Sequence, residues 1–151
     1  MSFQEKNITV TLVNFTLILI FYLNGIFRMI REGGLNASEL FRLWAIVIVF
    51  AVVVTVLATI LTHIVSLIIE AIKTGEKEPQ IEDFTDERDQ LIDLRGTKTT
   101  YTVSSIGSFL AMLTFAFGYQ PLVMFSLLIF FGVLAQIVGD VSRLYLYRRG
   151  F

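Results

Sequence analysis

Four long apolar runs, separated by short polar clusters, set the plan of this chain. They cover Ile8 to Ile30, Leu43 to Glu70, Tyr101 to Phe117 and Pro121 to Val141, with boundaries good to a few residues. A helix crosses the hydrocarbon of a bilayer with about 17–25 mainly apolar residues, so each run is predicted to be a membrane span. The second run is longer than that and predicts a tilted or protruding helix. The first reads as a retained span and not as a secretory signal, whose apolar core is shorter and leads to a small-residue cleavage site.

The breaks between runs carry helix start and stop chemistry. Gly33-Gly34 follows the first run, and glycine accepts the positive φ that follows a helix end. Asn36 with Glu39 three residues on predicts a capping box at the start of the second helix. Trp44 then falls where an indole would lie at the membrane interface. Gly118-Tyr119-Gln120-Pro121 predicts a tight turn, with Pro121 at the first position of the last helix.

Residues 73–98 differ in kind, with eight acids and five bases. Charges at that density cannot lie in hydrocarbon. Within this segment, Phe84 to Gly96 predicts a short amphipathic helix, with Thr85 as its cap and Asp86 and Glu87 suited to the positive end of the helix dipole. Gly96 either breaks this helix before the third span or lets it run on. Glu82, Asp86, Asp89 and Asp93 form an acidic stripe that could dock a protein partner or the bundle itself, stand solvated or, on spacing alone, hold a divalent cation. The docking reading is carried forward, and no metal or other cofactor is assigned. The expected fold is thus a single all-α domain over 1–151, a four-helix membrane bundle with a short cytoplasmic helix between spans two and three.

Composition agrees. Apolar residues make up 55% and charged residues 17%, with mean hydropathy +0.73, against about a quarter charged in soluble domains. The formal net charge of −1 gives no case for nucleic-acid binding. There is no cysteine, which removes disulfides, thiolate metal sites and thiol redox chemistry, and the single histidine excludes a multi-histidine zinc site within the chain. With both termini inside, nine of the twelve Lys and Arg residues lie on the cytoplasmic side. The positive-inside rule therefore predicts cytoplasmic N- and C-termini.

Polar residues within the runs mark packed faces, because lipid gives helices no hydrophobic reason to associate. Ser104, Gly107, Ser108 and Ala111 share one face of the third span. Gly132, Ala135, Gln136, Gly139, Asp140 and Arg143 share one face of the fourth, and these two faces are expected to meet, at least in part. In the second span, Thr55, Thr59, Thr62, Ser66 and Glu70 form a polar stripe with His63 beside it. His63, Glu70, Gln136, Asp140 and Arg143 all fall toward the cytoplasmic ends. Either they line an inward-facing polar vestibule, where a neutral His near a carboxylate could relay protons, or they fix packing, with Asp140 paired to Arg143. Arg28, Arg31 and Arg42 form an outer basic cluster that either snorkels to the interface or binds a lipid phosphate or anionic solute. Asn14 is expected to face another helix, since an amide in hydrocarbon needs a partner.

The string Asp86-Glu87-Arg88-Asp89-Gln90-Leu91-Ile92-Asp93, with two spans after it and the ending Tyr147-Arg148-Arg149-Gly150, resembles small bacterial membrane proteins in which a DERD-type segment precedes the final helical hairpin. The resemblance covers roughly the last 70 residues. It implies a bacterial inner-membrane setting and no particular activity. The lone first-helix Glu of small multidrug exporters and the paired-Asp motif of phospholipid head-group transferases are absent, and no Ser, His and acid are placed for nucleophilic catalysis. The reading is a non-enzymatic accessory subunit that acts through a protein partner, or else a small homo-oligomeric transporter or channel; either sits among membrane lipids.

Overall fold

The computed structural model describes residues 3–74 and 87–149, apart from the side chains of 3, 58, 59, 61–63, 65–67 and 69–74. The described residues form four helices: α1 (Phe3–Arg31), α2 (Ala37–Thr74), α3 (Glu87–Ala116) and α4 (Pro121–Arg149). Among the described residues, three segments are long and apolar enough to cross a membrane, namely Gln4–Arg31, Ala37–Leu57 and Pro121–Arg149. The all-α, four-helix architecture is the expected one.

The helix ends follow the chemistry of their residues. Gly33 and Gly34 both take positive φ, and the Gly34 amide returns to the Met29 carbonyl at 3.0 Å. This six-to-one bond is the Schellman closure. The same device ends α3: Gly118 has φ 87°, its amide bonds the Phe115 carbonyl, and the Tyr119 amide bonds the Thr114 carbonyl. Asn36 caps α2, its Oδ1 accepting the Ser38 amide at 2.9 Å. Several threonines inside the first helix are satisfied locally. The hydroxyls of Thr9, Thr11 and Thr16 each donate to the carbonyl four residues back.

The helix α4 is the hub. It packs along α3 and against α1, while α2 lies on α1, touches α4 only slightly and makes no packing contact with α3 among the described residues. The apolar core joins α1, α2 and α4: Ile18, Tyr22 and Met29 face Leu40, Leu43 and Val47, with Leu122, Ile129, Phe130 and Val133 of α4 against them. Asn14 is buried on the same stripe of α1 as Ile18 and Tyr22. Gly25 lets α1 and α2 cross closely, since a Cβ there would come within 2.8 Å of the Leu43 methyls. Trp44 turns into the bundle, edge-on to Phe41 at 5.0 Å and to Phe125 at 5.7 Å.

Gly96 does not break the helix: from residue 87 onward the amphipathic segment forms the first turns of α3, which runs on through Gly96, one of the two courses open from the sequence. Thr99, Thr100 and Thr102 each donate their hydroxyl to the carbonyl four residues back, so these hydroxyls are satisfied within the helix. Gly132 departs from expectation. It belongs to the expected α3-facing set of α4, but it is exposed, and a Cβ there would meet nothing.

Small residues do form the α3–α4 seam, with Ser104 and Ser108 of the expected α3 face only half-buried. Gly96, Gly107 and Ala111 of α3, and Ala135, Gly139 and Asp140 of α4, are buried. A Cβ on Gly107 would collide with Phe131, and one on Gly139 with the Thr100 hydroxyl. We predict that Gly107→Leu or Gly139→Leu destabilises the bundle by about 1–3 kcal/mol or more, the usual cost of overpacking. Gly132→Leu should be near neutral. Thermal or denaturant unfolding of the detergent-solubilised protein distinguishes these outcomes.

Candidate functional site

At the end of the bundle where α1 and α3 begin and α4 ends, the helices leave an open cavity of about 630 Å³. Its polar lining comes from three helices: Gln4, Asn7 and Thr11 of α1; Asp89, Asp93 and Thr97 of α3; Gln136, Asp140, Arg143 and Tyr147 of α4. Helical spacing puts them there. Gln4, Asn7 and Thr11 follow steps of three and four, as do Gln136, Asp140, Arg143 and Tyr147, so each set forms one stripe.

Arg143 organises this end. All three of its guanidinium nitrogens are engaged at 2.9 Å: Nη1 donates to Asp140 Oδ1, Nε to Asp93 Oδ1 and Nη2 to the Thr97 hydroxyl. The absence of a side chain at Gly96 makes this reach possible. A Cβ there would overlap the Arg143 side chain. The two ion pairs differ in surroundings, since the Asp140 side chain is 4% exposed and that of Asp93 71%. Exposed pairs contribute little, about 0–1 kcal/mol. The interhelical cross-links continue outward, where the Tyr147 hydroxyl donates to Asp89 Oδ1 at 2.8 Å.

Asp140 has one satisfied oxygen and one that is not. Oδ1 accepts from Arg143 and from the Gln136 amide at 3.2 Å. Oδ2 is fully buried and has no hydrogen-bond partner among the described residues. A buried carboxylate oxygen without a donor is costly, so it marks a place where a donor or a cation would be favoured. The charges that line the cavity are Asp89, Asp93 and Asp140 against Arg143, an excess of two negative charges.

The structure thus brings together Gln136, Asp140 and Arg143 of the intramembrane cluster. His63 and Glu70 lie on α2, and their side chains are outside the described residues. Within the acidic stripe, Asp89 and Asp93 are bonded to α4, while Glu82 and Asp86 are outside the described residues. At the opposite end, Arg28 and Arg42 share a groove between α1 and α2, and Arg31 is not part of its lining. Among the described residues, no group of three or more His, Cys, Asp or Glu side chains could hold a metal ion.

Several participants were missed by the sequence reading. The Gln4-Asn7-Thr11 stripe was legible as spacing, but it precedes and enters the apolar run and reads as a plain polar start. Thr97 carries no signal of its own. Tyr22 is buried in the core and donates to the Ser126 carbonyl at 2.8 Å, tying α1 to α4. Inside an apolar run it is indistinguishable from any aromatic core residue.

No protein-family model matches the chain, and no significant match is found among curated proteins or solved structures.

Removing Arg143 leaves Asp140 buried and unpaired, and breaking a buried pair in this way costs about 3–5 kcal/mol. Arg143→Leu should therefore lower stability strongly. Asp93→Asn, at the exposed end of the same network, should lower it by about 1 kcal/mol or less. Denaturant titrations of the two variants side by side check the difference.

Proposed function

We propose that the chain is a four-span membrane protein whose end vestibule receives a small cationic solute, as a transporter or channel subunit. In this reading α3 is the fourth span. It is the most polar of the four helices, and it crosses beside α4 with the hydroxyls of Thr99, Thr100, Thr102 and Thr114 bonded to its own backbone. The Lys and Arg distribution supports cytoplasmic termini, so the vestibule opens inward.

The single observation that carries the reading is Asp140, a buried carboxylate with one oxygen lacking a donor, among the residues that line an open cavity that is negative overall. An ammonium group in the cavity supplies N–H donors and a positive charge to the carboxylates that line it. Gln4, Asn7 and Thr11 across the cavity offer further polar partners. The accessory-subunit reading is the less favoured of the two, because Asp89 and Asp93 are already turned onto α4. A homo-oligomer would complete a pathway if one vestibule leads through a symmetric assembly.

The expected result is saturable binding of methylammonium to the reconstituted full chain, with uptake into proteoliposomes. Asp140→Asn should weaken binding at least tenfold. Because that change also touches Arg143, Asn7→Leu serves as a second variant, which should lower affinity without loss of stability. Equal methylammonium binding by the folded wild type and both folded variants would remove the vestibule as the site.

A further inference from the structure

The far end of the bundle carries a second concave site of opposite sign. The last turns of α1 and the first turns of α2 enclose a groove of about 500 Å³. Phe21, Met29, Leu43 and Ile46 line its apolar part, and Asn24, Arg28, Glu39 and Arg42 its polar part. The close crossing at Gly25 and Leu43 shapes its base. Arg28 and Arg42 are exposed, and neither side chain has an ion pair or hydrogen bond among the described residues. Against Glu39 they leave one excess positive charge.

We propose that this groove is a binding site for an acidic phospholipid. Its phosphate sits between the guanidinium groups of Arg28 and Arg42, and an acyl chain lies along Phe21 and Ile46. The occupant follows from charge and shape together. Guanidinium forks match phosphate oxygens in pairs, and Asn24 adds an amide donor. The adjoining apolar wall suits a hydrocarbon chain, which a free anion lacks. Phe21 and Ile46 are 48% and 44% exposed, so the wall is open to an acyl chain. The excess of one positive charge favours a headgroup of net charge −1 over a zwitterionic one, whose ammonium would offset it. The proposal rests on α1 and α2 crossing the membrane, and it is independent of cation binding at Asp140.

The chain has a single tryptophan, Trp44, one residue past Leu43 of the groove. The full chain is reconstituted in phosphatidylcholine bilayers that contain phosphatidylglycerol brominated on its acyl chains, and Trp44 emission is followed. Brominated phosphatidylcholine is the reference. The expected result is a severalfold stronger quench by the acidic lipid, reduced to parity in Arg28→Gln/Arg42→Gln and increased in Glu39→Gln. Circular dichroism confirms that each variant is folded and inserted. Equal quenching by the two lipids in the wild type, or a preference that survives the double arginine change, overturns the proposal. So does reversal of the quench by millimolar inorganic phosphate, which would make the groove a site for the free anion. A failure to insert would show in the circular dichroism of oriented bilayers and would count against the membrane reading itself.

Discussion

A guanidinium group has five N–H donors and one full charge, and a protein that draws it toward the interior must satisfy both. Arg143 is satisfied by three oxygens from two helices, and it can reach them because Gly96 offers no side chain to block its path. Much else at this end depends on that arrangement. It sets the register of α3 against α4, so that Gly139 meets Thr100 and Gly107 meets Phe131 further along. It directs one carboxylate oxygen of Asp140 at Arg143 and Gln136. The other oxygen is left buried and without a donor among the described residues. The same contact that fastens the helices thereby creates the group on which the proposed activity depends.

The bundle is asymmetric in how it is held. On one side, α3 and α4 meet through a seam of small residues and a ladder of hydroxyl, carboxylate and guanidinium contacts. On the other, α1, α2 and α4 meet through bulky apolar side chains, with Tyr22 as the polar tie. The first kind of seam fixes register residue by residue. The second fixes proximity, and its close point is the Gly25–Leu43 crossing. The two polar concavities lie at opposite ends and carry opposite charge. Carboxylates from α3 and α4 dominate one, and arginines from α1 and α2 the other.

Much of the helix plan was legible in the sequence, because helix ends announce themselves chemically. Gly33-Gly34, Asn36, Gly118 and Pro121 each act where their residue types predict. The small-residue faces of α3 and α4 were legible too, except at Gly132, where spacing alone cannot tell an interface glycine from an outward one. The Asp140–Arg143 pair could be read from its three-residue step. Its extension to Asp93 and Thr97 could not, since that depends on the register between two helices. The continuity of α3 was harder still. A charged amphipathic segment followed by an apolar run is compatible with one helix or with two, and the residue types at Gly96 do not decide between them.

That continuity has a consequence for how the chain is made. A helix with so many hydroxyls and a charged first half has little intrinsic tendency to leave water, yet it emerges from the ribosome before the helix that completes its inner face. For a chain that enters a bilayer, α3 would have to wait at the surface until α4 follows, and the two would go in as a pair. The turn at Gly118 to Pro121 is short enough to keep them together during that delay. The threonine-rich stretch would then be the part of the sequence most sensitive to the pace of synthesis, because a pause there separates α3 in time from the partner it requires.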